Sequence, residues 1–418
     1  MKILNFGSCN SDYVYTVHHI VKPCETEHSP SLRIFPGGKG LNQSVAMARA
    51  RVPVFHAGCI GADGGLLRDT LVASGADVTF LRTVEERTGH ALIQVDEDGE
   101  NAILVYPGAN AGVTDDFIDE VLGHFAAGDL LVLQNEIPGT ERLIAAAGKR
   151  GMCVALNPSP CDENIARTDL STVSCLILNE GEAETIFGTA DADRITALIQ
   201  EKYPALRVLL TIGADGCFLL GDKETFYQPA FRVPAVDTTA AGDTFTGYFI
   251  AGLAAGLEAQ ENLRRAACAA ALAVSRPGAS PSIPTAEEVD AALPVLPLRE
   301  RQSDRFLREK CDRYLSEHLP DATLTGLAGM LGYAPVYAGR VAKNLWGVSF
   351  TARLTRVRCE HAAHLLTTTD LPITDIIRAV GYENESFFRR AFRARYGKNM
   401  LTYRKEGKHR HDDRTKTP

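Results

Sequence analysis

The run Val236-Asp237-Thr238-Thr239-Ala240-Ala241-Gly242-Asp243-Thr244-Phe245-Thr246-Gly247 decides how this chain is read. Small residues precede a helical stretch, so backbone N–H groups of Ala241, Gly242 and Asp243 crowd around a helix N-terminus. Such an end holds phosphate through unpaired donors and the helix dipole. Asp243 then lies beside the anion pocket, where a carboxylate can take a proton from an attacking hydroxyl. An Asp that caps the helix after a small-residue turn explains the same spacing.

Two other stretches bear on that choice. Gly37-Gly38-Lys39-Gly40-Leu41-Asn42-Gln43 is no Walker P-loop, because Lys39 is followed by Gly40 rather than Ser or Thr. Its glycines let a small polar ligand approach the backbone at a helix start, or simply make a flexible turn. Leu178-Asn179-Glu180-Gly181-Glu182-Ala183-Glu184 follows an apolar run. Carboxylate and amide oxygens at a strand end suit hydrated Mg²⁺; an acidic first helical turn is the competing explanation.

Outward from these, residues up to about 290 alternate short apolar runs with helix-length segments. Leu130–Leu133, Val154–Leu156, Leu176–Leu178 and Val208–Thr211 lack polar alternation, and Thr140–Lys149 and Gly181–Phe187 are helical stretches between them. Strands buried on both faces and separated by helices predict a mostly parallel α/β sheet. Tyr13–Val21, Leu32–Phe35, Gly89–Val95 and Asn101–Val105, with a turn at Asp98-Gly99, predict a small β lid.

The 418 residues carry 44 Lys+Arg against 52 Asp+Glu, a net charge of −8 that hides a division. From Leu296 onward there are 23 basic and 14 acidic residues, net +9; the remainder has 21 and 38, net −17. An acidic body with a basic terminal segment predicts a second task on a polyanion. No stretch reaches the roughly 18 apolar residues of a membrane span, and the N-terminus reads as a first strand rather than a signal peptide. The ten cysteines form no CxxC pair, which argues against zinc and disulfides and for a cytoplasmic protein.

Together the three motifs resemble, in order and type, the ribokinase-like (PfkB) family of carbohydrate kinases over about residues 1–293. Within it the chain looks most like the ribokinase branch. Gly7-Ser8-Cys9-Asn10-Ser11-Asp12, Gln134-Asn135-Glu136, Asn157-Pro158-Ser159-Pro160, Thr211-Ile212-Gly213-Ala214-Asp215-Gly216 and the stretch from Ala273 to Ser282 extend the match. The resemblance implies ATP and Mg²⁺, with Asp243 as base and Ala240, Ala241 and Gly242 as anion hole. It implies Asn10, Asp12, Gly38, Lys39, Asn42 and Glu136 as sugar ligands. Asn179, Thr211, Gly213 and Gly216 would border ATP, with Asn179 and Glu182 acting on Mg²⁺ through water. A monovalent-cation site, for K⁺, would use Asp237, Thr239, Ala273, Arg276, Gly278 and Ser282, in a loop where Pro277 is unusual. Related kinases dimerise through the β lid, so a homodimer is expected.

Pro294 to Ser303 combines prolines with a charge cluster and reads as a linker. After it the texture is helical and repeats: Leu324-Thr325 precedes Gly332-Tyr333 as Ile373-Thr374 precedes Gly381-Tyr382, and each unit ends near a glycine, Gly347 and Gly397. This tandem helix-turn-helix pattern resembles the AraC-family DNA-binding domain over about residues 304–404. The resemblance implies an all-α domain contacting double-stranded DNA through Arg340, Lys343, Ser386, Arg389, Arg390 and Arg393, with Arg395 nearby. Where the first recognition helix normally carries two aromatic core residues this chain has Ala338 and Ala342, with Gly339 between them. Trp346 or Tyr337 is expected to fill the space. Residues 405–418 read as a disordered charged tail.

The sequence therefore predicts a sugar kinase fused to a DNA-binding module, acting also as a sugar-responsive regulator. A regulator whose kinase fold only senses sugar, and a kinase whose module no longer binds DNA, are the alternatives.

Overall fold

The structure is a computed structural model that describes residues 1–97, 100–221, 224–299, 302–331 and 335–412. The chain divides into two units, Met1–Arg299 and Glu300–Pro418.

The first unit is built on a nine-stranded sheet ordered β13-β12-β11-β10-β9-β8-β1-β4-β5. Its strands are β1 (Ile3–Phe6), β4 (Val54–Ile60), β5 (Asp77–Thr83), β8 (Leu130–Gln134), β9 (Cys153–Asn157) and β10 (Cys175–Asn179). β11 (Arg207–Thr211), β12 (Cys217–Leu220) and β13 (Thr225–Gln228) complete it. Pairing is parallel from β5 to β11; β12 and β13 run antiparallel at one edge.

Side chains alternate between two cores, as the period of a strand requires. Ile3, Leu130 and Val132 point into one cluster; Leu4, Leu131 and Leu133 point into the other. Helices α1 (Lys39–Arg49), α2 (Gly65–Ser74), α7 (Ala241–Ala254), α8 (Ala259–Val274) and α9 (Ala286–Ala292) contribute to the first core. The second takes α3 (Asp115–Leu122), α4 (Thr140–Lys149), α5 (Glu180–Phe187) and α6 (Ala192–Lys202). Both faces are therefore dry, which is why these strands lack polar alternation.

A second sheet of four strands, β3-β2-β6-β7, forms the lid from β2 (Asn10–Thr16), β3 (Ser31–Gly37), β6 (Gly89–Val95) and β7 (Asn101–Tyr106). β2 stops at Thr16, five residues short of the expected Val21, because its partner β3 begins only at Ser31. The turn expected at Asp98-Gly99 lies outside the described residues.

The expected linker is a linker only in part. Arg232 N–H donates to Pro297 O and Arg299 N–H to Ala230 O, both at 2.7 Å, and Leu298 pairs with Phe231. Proline lacks an N–H but keeps its carbonyl, so Pro297 can join such an edge as acceptor.

The second unit comprises α10 (Gln302–Glu317), α11 (Leu324–Leu331), α12 (Pro335–Trp346), α13 (Phe350–Thr368), α14 (Ile373–Ala379), α15 (Glu385–Tyr396) and α16 (Met400–Asp412). Gly332-Tyr333 of the repeat lies outside the described residues. Two cores flank α13: one joins Tyr314 and Leu315 to Ala342 and Leu345, the other joins Ile376 and Ile377 to Phe388 and Phe392. Arg358 on α13 donates to the carbonyls of Leu319 and Pro320 at 2.9 Å each, tying the halves together. Gly381 (φ 86°) is forced, since a Cβ there would stand 2.1 Å from Pro320 O.

Ala338 and Ala342 are fully buried, and the lost aromatic volume is taken up by Leu345 and by Tyr314 and Leu315 of α10. Trp346 packs at the edge, its Nε1 donating to Asp312 at 3.1 Å; the side chain of Tyr337 lies outside the described residues. A Cβ at Gly339 would meet Leu324 at an ordinary 3.4 Å. Gly339→Ala should therefore stabilise the second unit by about 0.5–1 kcal/mol, read as a rise in its unfolding midpoint; a lower midpoint would contradict this packing. Of the tail expected at 405–418, residues 405–412 belong to α16, consistent with its Arg- and Lys-rich sequence and a Lys398–Glu406 ion pair; residues 413–418 lie outside the described residues.

Candidate functional site

The C-terminal ends of β1, β8, β9, β10 and β11 deliver Ser8, Glu136, Asn157, Asn179 and Thr211 to one edge of the sheet, where α/β folds bind ligands. Into that edge project the N-termini of α1 and α7. Gly38 enters α1 at φ 89°, and a Cβ on Gly40 would stand 2.4 Å from Ser8 N, so both glycines let α1 press against the end of β1.

Asp243 sits in the first turn of α7, buried, with each oxygen held by an amide of α1. Asn42 Nδ2 donates to Oδ2 and Gln43 Nε2 to Oδ1, both at 3.0 Å. Gln43 is fixed in turn by Gln134 Nε2, which donates to its Oε1 at 2.6 Å, and by its own bond to Asn157 at 3.2 Å. Gln43, Gln134 and Asn157 went without assigned roles in the sequence reading; adjacent amides at a helix start, facing a carboxylate helix, were the available signal.

Ala240 precedes α7 in a left-handed conformation (φ 58°), a cost for a residue with a Cβ. Ala241 N–H turns back to Thr238 O at 3.3 Å. Among the described residues no carbonyl accepts from the amides of Gly242 and Asp243, so the free donors number two rather than the three expected. The capping explanation for Asp243 fails, since its oxygens bind α1 rather than its own helix.

Beside Asp243 lies a polar cavity of about 250 Å³ lined also by Lys39, Asn157, Asn179, Glu182 and Gly242. Asn179 and Glu182 form a reciprocal capping box, each side chain accepting the other's N–H at 2.9 Å. That box spends one Glu182 oxygen and leaves the other for a hydrated cation. Among the described residues no group of three or more His, Cys, Asp or Glu could enclose a metal. One free carboxylate oxygen at a strand end suits a cation held largely through water. Burial pushes Lys39 down, but Asp243, Glu136 and Glu182 outweigh it and its pKa is raised.

On the lid side, Asn10, Asp12, Asn42 and Glu136 converge. Asn110 Nδ2 donates to Asn10 Oδ1 at 2.8 Å, and Glu136 Oε2 accepts from Ser8 Oγ and from Lys39 N (2.9 Å). Burial, then Glu136 and Asp243, raise the Asp12 carboxyl to about 7. Asn42 Oδ1 is buried with no hydrogen-bond partner among the described residues.

Thr211, Gly213 and Gly216 border a larger, mainly apolar cavity of about 400 Å³, which Asn179 and Gly242 join to the polar one. In the expected cation loop, Asp237 accepts from Thr239 N and Gly278 N at 2.9 Å, which keeps its carboxyl low despite burial. Ala273 O accepts from Arg276 N, the Arg276 guanidinium pairs with Glu288 at 2.6 Å, and Ser282 Oγ donates to Ala279 O. The loop closes around Asp237 through the two hydrogen bonds from Thr239 N and Gly278 N.

On α15, Phe388 and Phe392 are buried while Ser386, Arg389, Arg390 and Arg393 are exposed along the opposite face. Arg395 leaves that set, paired with Glu360 of α13. Lys343 is exposed on α12; the side chain of Arg340 lies outside the described residues.

Residues 1–286 match the pfkB family carbohydrate kinase model, and residues 327–406 match a helix-turn-helix domain. The ribokinase of Haemophilus influenzae is 36% identical over 291 residues, covering 68% of this chain and 95% of that protein. The ribokinase of Cryptococcus neoformans in complex with ADP superposes with a TM-score of 0.63 at 34% identity, over 69% of this chain and 99% of that one. The Arabidopsis thaliana ribokinase complexed with ribose and ATP gives 0.61 at 30% identity, over 70% and 98%.

Proposed function

The chain belongs to the pfkB family of carbohydrate kinases and carries an AraC-type helix-turn-helix domain, and from that premise we propose a ribose kinase that also regulates transcription. The observation that carries the assignment is Asp243. Its carboxylate stands where the polar cavity of Asn179 and Glu182 meets the hydroxyl-binding cluster of Asn10, Asp12 and Asn42.

In this reading Asp243 accepts the proton of a ribose hydroxyl as that oxygen attacks the γ-phosphorus of ATP. Asn42 and Gln43 hold the carboxylate so that it needs no reorientation. The amides of Gly242 and Asp243 donate to the transferring phosphoryl oxygens, and Lys39, which lines the same cavity, adds positive charge. Asn179 and Glu182 would hold Mg²⁺ through water, and it would supply positive charge to the nucleotide phosphates. Asn42 Oδ1, Asp12 and Asn10 take the sugar hydroxyls, and Thr211, Gly213 and Gly216 border the nucleotide. K⁺ at the Asp237 loop would brace the start of α7.

The relatives' names favour ribose. With ATP, a panel of pentoses, hexoses and nucleosides should return the highest kcat/KM for ribose; a nucleoside ahead of every sugar would replace that substrate. Asp12 supplies a pH signature. A hydroxyl donates best to the ionised carboxylate, so binding favours that form and draws the pKa down from about 7. The KM for ribose should fall as pH rises from 6 to 8, and Asp12→Asn should flatten the profile. A KM that rises over this range would reverse the assignment.

The regulatory role rests on the exposed arginines of α15 and is supported if ribose or ATP shifts the affinity of the full chain for its upstream DNA. No helix among the described residues is long and apolar enough to cross a membrane, and a cytoplasmic location fits both substrates. The lid exposes Ile34, Leu92 and Leu104 in one row across the sheet, 48%, 39% and 68% accessible. A second copy of this chain is the proposed cover. Leu104→Lys should convert a sedimenting dimer to monomer; an unchanged mass would remove the lid from the interface.

A further inference from the structure

The cavity bordered by Thr211 and Gly213 has one wall from beyond the family match. Resting on the reading of this cavity as the nucleotide site, we propose that the extended segment Pro297–Arg299, bridged to Phe231 at Leu298, is part of it. Arg299 contacts the base or ribose of the bound nucleotide, so nucleotide occupancy and docking of this segment reinforce one another.

Four observations converge. The segment is laid against Ala230–Arg232 by two backbone hydrogen bonds of 2.7 Å, and Ala230, Phe231 and Val233 line the cavity beside Arg299. Arg299 is the one ionisable residue among those lining it; the neighbouring wall is Ala267, Ala270, Ala271 and Val274 of α8. Among the described residues no carboxylate pairs with Arg299, so its guanidinium is available to a planar, anionic ligand, on which such groups stack and donate. Finally, the segment is weakly held. Pro297, Leu298 and Arg299 are all exposed, Leu298 by 50%, so burial contributes little and docking rests on two backbone hydrogen bonds. Segments of this kind open at low free-energy cost, and a ligand that touches only the docked form shifts their population.

The consequence follows from chain connectivity. The second unit begins at the next residue. Undocking 297–299 lengthens the tether between the units by roughly 10 Å. Nucleotide in the cavity shortens it, and by reciprocity whatever restrains the tether tightens nucleotide binding.

The test uses the full chain with ADP and ATP. Hydrogen exchange at the amides of Arg232 and Arg299 should slow on adding ADP. Arg299→Ala should raise the KM for ATP roughly three- to tenfold, leave the KM for ribose and kcat near parent values, and erase the ADP-dependent protection at Arg232. Ala270→Trp, which fills the cavity, should abolish ADP binding. If Ala270→Trp leaves ADP binding intact, the nucleotide reading of this cavity fails. If it abolishes binding while Arg299→Ala changes neither the KM for ATP nor the exchange, the segment proposal alone is overturned.

Discussion

Asp243→Asn should lower kcat at least about 10³-fold while ribose and ATP still bind within a few-fold of the parent. A positioned base is typically worth about 10²–10⁴ in rate. The variant loses the base and also misplaces a donor. Both oxygens of Asp243 accept from amide N–H groups, Asn42 Nδ2 and Gln43 Nε2. An Asn Nδ2 must therefore face one of those donors, at a cost of about 1–3 kcal/mol in stability. A melting experiment separates that cost from the chemistry, because binding of ribose should persist below the lowered midpoint. Residual turnover above a tenth of the parent rate would remove Asp243 from the role of base.

The second large effect concerns DNA. Arg389→Ala with Arg390→Ala should weaken binding to the upstream DNA of its own gene by about 10²-fold or more, at roughly 1–3 kcal/mol for each base-directed arginine. Both side chains lie on the exposed face of α15 with Ser386 and Arg393, while Phe388 and Phe392 anchor the other face in the core. Arg389 also carries an exposed i,i+4 pair with Glu385, worth little in water and easily exchanged for phosphate. Replacing Arg340 on α12, or Lys343, should cost only a few-fold. Equal losses from the two helices would mean that the first half docks as firmly as the second. A shallower salt dependence in the double variant would identify phosphate contacts among the lost ones.

The parallel sheet was legible because Leu130–Leu133 and its fellows are apolar on both faces, a pattern that only burial between two helical layers explains. The short motifs that carry Asp243, Asn179 and Lys39 were legible as well, and the fold brings the three to one cavity. What lies between motifs was not. That Gln43 and Asn42 share the carboxylate of Asp243 depends on how two helix N-termini meet across 200 residues of chain, which no local spacing encodes. Asn179 and Glu182 were read as cation ligands or an acidic first turn. They also form a capping box, so the same side chains stop a strand, start a helix and face a cavity.

The pairing of residues 297–299 inside the expected linker was hidden for a related reason. Proline and charge indicate a linker when backbone partners are absent, and here the partners are Ala230 and Arg232, some 65 residues earlier. The altered first helix-turn-helix was half legible. Ala338 and Ala342 announced missing volume, but part of the packing around Ala342 comes from α10, an element outside the repeat. The charge division, −17 before Leu296 and +9 from it onward, falls close to the boundary between the two units at Arg299 and Glu300.

The measurement that bears most directly on the account is ADP formation by the full chain given ATP, Mg²⁺ and ribose, with the phosphorylated sugar weighed by mass spectrometry. The arrangement around Asp243 predicts ADP and ribose phosphate in equal amounts, dependent on ribose and lost in Asp243→Asn. Saturable ribose binding with no ribose-dependent ADP would contradict it, and would make this fold a sugar sensor for the DNA-binding unit.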